Sequence, residues 1–145
     1  MRKLVLAIST VAFAVSAAYA DPIADRKAIM KERGGLIGGI AKMAKGETAF
    51  DAAAVLTALQ ALQANEAKVD IDALFPAGSD KGDTKAAPKI WEDMAGFKAA
   101  NDKYKADLDA AVAAPAQDVN ALGAQLGILG GDCGGCHKPY RLPSA

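Results

Sequence analysis

The only two cysteines and the only histidine of this chain fall within five consecutive positions, Cys133-Gly134-Gly135-Cys136-His137. Such a concentration of soft and ligating side chains points to chemistry rather than to packing. The spacing C-x-x-C-H is the attachment signature of c-type haem. On a helical turn, positions i, i+3 and i+4 share a side. Cys133 and Cys136 could then each form a thioether with a former vinyl group, and His137 could reach the iron from the proximal face. Other uses fit less well. A disulfide between the two cysteines would close a very short loop and add little by chain entropy. A thiol–disulfide oxidoreductase often places C-x-x-C at a helix start beside a strand, whereas this pair comes late in a helical region with no βαβ pattern. A structural zinc site wants four protein ligands, and Cys133, Cys136 and His137 supply three with no further Cys or His available. A purely structural role for His137 leaves the cysteine spacing unexplained.

The opening stretch, MRKLVLAISTVAFAVSAAYA, reads as a segment to be removed. Arg2 and Lys3 precede an apolar run from Leu4 to Ala17, and Ala18-Tyr19-Ala20 fits a small-x-small cleavage site before Asp21. This is the pattern of a secretory signal peptide, and the run is short for a membrane anchor. Residues 1–20 are therefore expected to direct export to the periplasm, leaving a single mature domain over residues 21–145. Haem c is attached outside the cytoplasm, so leader and motif agree. Loss of Arg2 and Lys3 from a charge-balanced chain leaves a formal charge of −2 on 125 residues, enough for one core. No concentrated basic face of the kind that binds nucleic acid is visible. No second apolar run is long enough to span a membrane, so the mature chain is expected to be soluble.

Four helices must position the motif. The first is expected from about Pro22 to Lys45, with Ile29, Leu36, Ile40 and Met43 on one stripe and Met30, Ile37 and Ala44 beside it. Gly34, Gly35, Gly38 and Gly39 each weaken it by about 1 kcal/mol relative to alanine. They fit close approach of something bulky to the backbone, or else tight helix packing or a kink. The second helix is expected from the N-cap Asp51 as far as Leu74, carrying Val55, Leu59, Leu62 and Val69 at three- to four-residue spacing. The stretch FPAGSDKGDTKAAP breaks the pattern as a loop. The third helix starts near Pro88 or Lys89, with Ile90, Met94, Phe97, Tyr104, Leu108 and Ala111 as its stripe. The fourth carries Val119, Leu122, Leu126 and Leu129, and Cys133 and Cys136 continue its alternation. No strand alternation persists. The fold class expected is all-α, an antiparallel four-helix bundle. Its many alanines bury little area each, at about 25 cal/mol per Å², and a large apolar group such as haem would help to complete the core.

The sequence resembles the cytochromes c′ and their low-spin relatives, the cytochromes c-556 and c-554. The resemblance covers essentially the whole mature chain and is carried by RKAIM, AKG, FPAGSD, PKIWEDMAGF and CGGCHKPYR. It implies a four-helix bundle with one covalent haem c near one end, and either a monomer or a homodimer through the first two helices. It also implies that Arg26 and Arg141 lie near the haem propionates, where guanidinium groups clamp carboxylate oxygens. Lys27 stands where the family often has glutamine, which makes its propionate contact less secure. Ser79 and Asp80 match a loop that touches the haem rim. Met30, one turn after Arg26, matches the residue over the distal haem face. In low-spin relatives a methionine there is the sixth iron ligand; in high-spin members the residue covers a five-coordinate iron open to nitric oxide. Met30 as mere packing filler is the alternative, and Met43 and Met94 read rather as core residues. The implied function is periplasmic electron transfer with His137 and Met30 as iron ligands and redox proteins as partners. The rival is a five-coordinate protein that binds nitric oxide or other small gases. With no second histidine for distal acid–base work, no enzymatic turnover is expected.

Overall fold

The computed structural model describes residues 21–143; the leader expected at residues 1–20 lies outside them. Each long helix begins where an aspartate accepts from its first free N–H groups. Asp21 accepts from Ile23 N and opens α1, Pro22–Ala44, with Pro22 in the first turn. Asp51 accepts from Ala53 N and Ala54 N and opens α2, Ala52–Glu66, as expected. Asp70 opens the short α3, Ile71–Leu74. After a loop comes α4, Lys89–Glu92. Asp93 opens α5, Met94–Ala113, and Asp118 opens α6, Val119–Tyr140. The long helices α1, α2, α5 and α6 form the four-helix bundle. In it α1 packs on α2, α2 on α5, α5 on α6, and α6 on α1.

Two expected helices are each divided. The second was expected to reach Leu74, but α2 stops at Glu66 and the chain restarts at α3. Asp70 adopts an extended conformation and caps Ala73 N, the role in which a short acidic side chain is worth more than inside a helix. The third is split at Asp93, also off the helical region, whose carboxylate accepts from Gly96 N at 3.1 Å. The hydrophobic stripe runs through both breaks: Ile90 on α4 and Phe97 on α5 bury in one cluster.

The main core joins Ile40 of α1, Val55, Leu59 and Leu62 of α2, Tyr104, Leu108 and Ala111 of α5, and Leu122 and Leu129 of α6. Each fully buried aliphatic side chain contributes about 1.5–3 kcal/mol by its removal from water. A second cluster lies where α6 ends, built from Ile90, Phe97 and Tyr140, with Phe75, Trp91 and Cys136 packed against it. Its rings meet edge to face, Phe75–Phe97 at 4.8 Å and Phe97–Tyr140 at 5.2 Å between centroids, the arrangement aromatic quadrupoles favour. The four glycines of α1 stand on an exposed face, with no atom within 4 Å of where a Cβ would sit. Tight helix packing among the described residues does not explain them, and α1 continues through them unbroken.

The 75–88 loop is held from three sides. The Arg26 guanidinium donates to Leu74 O (3.0 Å), Ser79 Oγ (2.9 Å), Ser79 O (2.8 Å) and Thr84 Oγ1 (3.0 Å). Trp91 Nε1 donates to Phe75 O at 3.0 Å. The C-terminal tail adds Ala87 N to Tyr140 O and Leu142 N to Lys85 O. Gly78 and Gly82 take positive φ, +83° and +99°, which the turns of this loop require. The loop is thereby tied to both α1 and the end of α6.

Candidate haem site

The last two turns of α6 carry Cys133, Cys136 and His137. Both cysteines are free thiols and half-buried, and Cys136 rests against the aromatic cluster. Burial pushes both thiols up from their ordinary value, so they stand as neutral S–H groups. A redox-active C-x-x-C needs the opposite, a depressed pKa that populates the thiolate. The imidazole of His137 is at the surface, yet partial desolvation, then the charges of Arg141 and Arg33, hold its pKa below the ordinary value. A neutral imidazole keeps the lone pair that a metal ligand requires. Two neutral thiols and a neutral imidazole on one helix side are a donor set that fits haem c. Among the described residues no cluster of three His, Cys, Asp or Glu side chains could hold a bare metal ion.

The other expected site residues divide by helix and loop. Met30 lies on α1, the helix packed beside α6, and is 44% exposed. Met43 and Met94, by contrast, are half-buried against the main core and the aromatic cluster. Arg26, one turn before Met30, is buried, and its guanidinium carbon stands 4.7 Å from the centroid of the Phe75 ring. Four of its N–H groups are taken up by the end of α3 and the loop, with no carboxylate partner among the described residues. Asp80 follows Ser79 in that pinned loop and is half-buried. Lys27 is drawn to the outer side of the loop by an exposed ion pair with Asp83. The Arg141 side chain is exposed beside His137, and its backbone pairs with Ala86.

A buried polar cluster next to the cysteines was not anticipated. Arg33 is only 8% exposed. Its Nε donates to Asn65 Oδ1 at 3.0 Å and its Nη2 to Glu66 Oε2 at 2.5 Å. Its guanidinium lies 4.6 Å from the Tyr104 ring centroid. Tyr104 Oη and Asp132 Oδ2 are both buried without a hydrogen-bond partner among the described residues. Asp132 immediately precedes Cys133, so unsatisfied polar groups gather where the attachment segment begins. Buried groups of this kind ordinarily find partners, and their presence here fits a site completed by a bound group. Arg33 fills the gap between Ile29 and Leu36 in the three-four stripe of α1, and that register is the signal that could have found it.

Comparison with known proteins identifies the family and the fold. The family model described as Cytochrome C′ matches residues 21–141. A cytochrome c-556 of Agrobacterium fabrum is 42% identical over 123 residues, covering 85% of this chain and 82% of the relative. A cytochrome c′ of Rhodopseudomonas palustris is 43% identical over 127 residues, covering 86% and 84%. The solved structure of a cytochrome c′ from Rhodopseudomonas palustris superposes with a TM-score of 0.78 at 42% identity, covering 87% of this chain and 99% of that one. The chain belongs to the cytochrome c′ family, whose members are electron-transfer haem proteins carrying covalent haem c.

Proposed function

We propose that this chain is a periplasmic monohaem electron carrier of the low-spin kind. Cys133 and Cys136 hold the haem through two thioethers, His137 ligates the iron, and Met30 ligates it from α1. Haem c, when bound, supplies a one-electron ferrous/ferric couple. The rest falls to the chain. The aromatic cluster around Phe97 and Tyr140 gives the attachment turn a rigid apolar backing. Arg26 fixes the 75–88 loop to α1, and its one N–H left free by α3 and the loop, together with exposed Arg141, is available to a propionate. The reading needs no general acid or nucleophile. Its periplasmic setting rests on the leader-like residues 1–20, and no helix among the described residues is long and apolar enough to cross a membrane.

The observation that carries the low-spin assignment is the chemistry of residue 30, a methionine thioether able to ligate haem iron, at an open position. A flexible thioether left 44% exposed, on the helix beside the one bearing His137, is poised to ligate. The same openness serves the second reading, a five-coordinate iron that binds small gases, and the relatives include proteins named cytochrome c′ as well as cytochrome c-556. The ferric absorption spectrum tests the choice. A low-spin spectrum with the weak red charge-transfer band of a methionine–iron bond is expected. A high-spin spectrum that shifts on adding nitric oxide would establish the second reading instead.

A further inference from the structure

We propose that Arg33 and Glu66 form an oriented ion pair whose positive end faces the haem-attachment segment and raises the reduction potential of the iron. The inference rests on the haem reading above and extends it to residues outside the binding set.

Placement is the first argument. Arg33 follows Met30 by three residues and Arg26 by seven, so the three share one side of α1. It is buried between α1, α2 and α5, over the Tyr104 ring. Rigidity is the second. Asn65 receives the Arg33 Nε–H, and its own amide donates to Ile29 O at 3.1 Å and to Glu32 Oε2 at 2.8 Å. Glu66 binds Arg33 through Oε2, while its Oε1 accepts from Asn101 Nδ2 at 2.8 Å. Both ends of the pair are thus clamped from outside. Direction is the third. Arg33 belongs to α1, which packs directly on α6, the helix that bears Cys133, Cys136 and His137, whereas Glu66 ends α2, which packs on α1 and α5. Glu66 is tied on its other side to Asn101 of α5.

A buried pair is little screened by solvent or salt. A cation near the iron repels the ferric state more than the ferrous, so the nearer end of the pair sets the sign, and electron uptake is favoured. Burying two charges carries a desolvation penalty, and apolar residues of similar volume often serve stability as well or better. A pair kept for stability alone would therefore alter melting when changed without moving the potential.

The test is spectroelectrochemical titration of the haem-loaded protein, with Arg33→Gln, Glu66→Gln and the double variant. Haem content is read on each sample by absorbance after denaturation. Arg33→Gln is expected to lower the midpoint and Glu66→Gln to raise it. A shift of about tenfold in the ferrous-to-ferric ratio corresponds to 59 mV for one electron. The double variant should fall between the single variants. Arg33→Gln leaves Glu66 buried without its cation and can fail to fold; Glu66→Gln keeps a hydrogen-bonding oxygen toward Arg33, so its upward shift tests the proposal unaided. Haem-loaded variants with unmoved midpoints, or single variants that shift in the same sense, would overturn the role of the pair and leave the electron-carrier reading intact. A native chain without haem would overturn both.

Discussion

Met30 and Tyr104 illustrate how a single side chain can be read. Met30→Ala is expected to leave haem attached and to convert a low-spin ferric spectrum into a high-spin one that takes up nitric oxide; a spectrum unchanged from the native protein would remove Met30 from the iron. Burial pushes the Tyr104 hydroxyl up to about 12. Its folded pKa is raised above the ordinary value of about 10, so its contribution to stability is complete below pH about 10 and is lost as pH rises through about 12. Tyr104→Phe should flatten that alkaline loss, read as the urea midpoint against pH; an unaltered alkaline limb would place the titrating group elsewhere. Cys133, Cys136 and His137 were legible because their types occur nowhere else in the chain. Arg33 was not, because an arginine on an amphipathic helix ordinarily reads as solvated. Only its register between Ile29 and Leu36 marks it as buried.

At the scale of elements, the start of α5 and the end of α6 meet through one hydrogen bond. Tyr140 Oη donates to Asp93 Oδ2 at 2.9 Å, across the aspartate that caps α5. A Cβ at Gly96 would stand 2.5 Å from Tyr140 Oη and 2.6 Å from the Asp93 carboxylate, so this closure requires glycine. The bond from Tyr140, then that from Gly96 N–H, holds the Asp93 carboxyl below its ordinary pKa. A depressed carboxyl contributes stability above its unfolded pKa that disappears as pH falls through the folded one. Asp93→Asn should therefore lower the melting temperature at neutral pH and less so in acid. An equal loss at both pH values would contradict the linkage. Leu122→Ala, at a fully buried position of α6, should cost about 2–5 kcal/mol in urea unfolding. The long helices were legible from their stripes, but the interruptions at Asp70 and Asp93 were not. A stripe reports which face is buried, and it continued from Ile90 to Phe97 while the backbone left the helix between them.

The whole molecule is a bundle whose end is closed by loop, tail and aromatic cluster around the attachment turn. Its architecture follows from helical periodicity and short connections. The loop's anchorage did not follow: Arg26 was expected at a propionate, and nothing local to it announces four hydrogen bonds reaching across 48 to 58 residues of sequence. A ligand that binds only the folded chain adds stability. Cys133→Ser/Cys136→Ser is expected to melt well below the native holoprotein. The central claim is that the porphyrin is joined to α6 through both sulfurs, and intact mass of the exported, denatured protein tests it most directly. The account predicts the polypeptide plus one haem, visible colour retained after acid and solvent, and no thiol open to alkylation. A bare polypeptide mass with Cys133 and Cys136 both alkylated would contradict it.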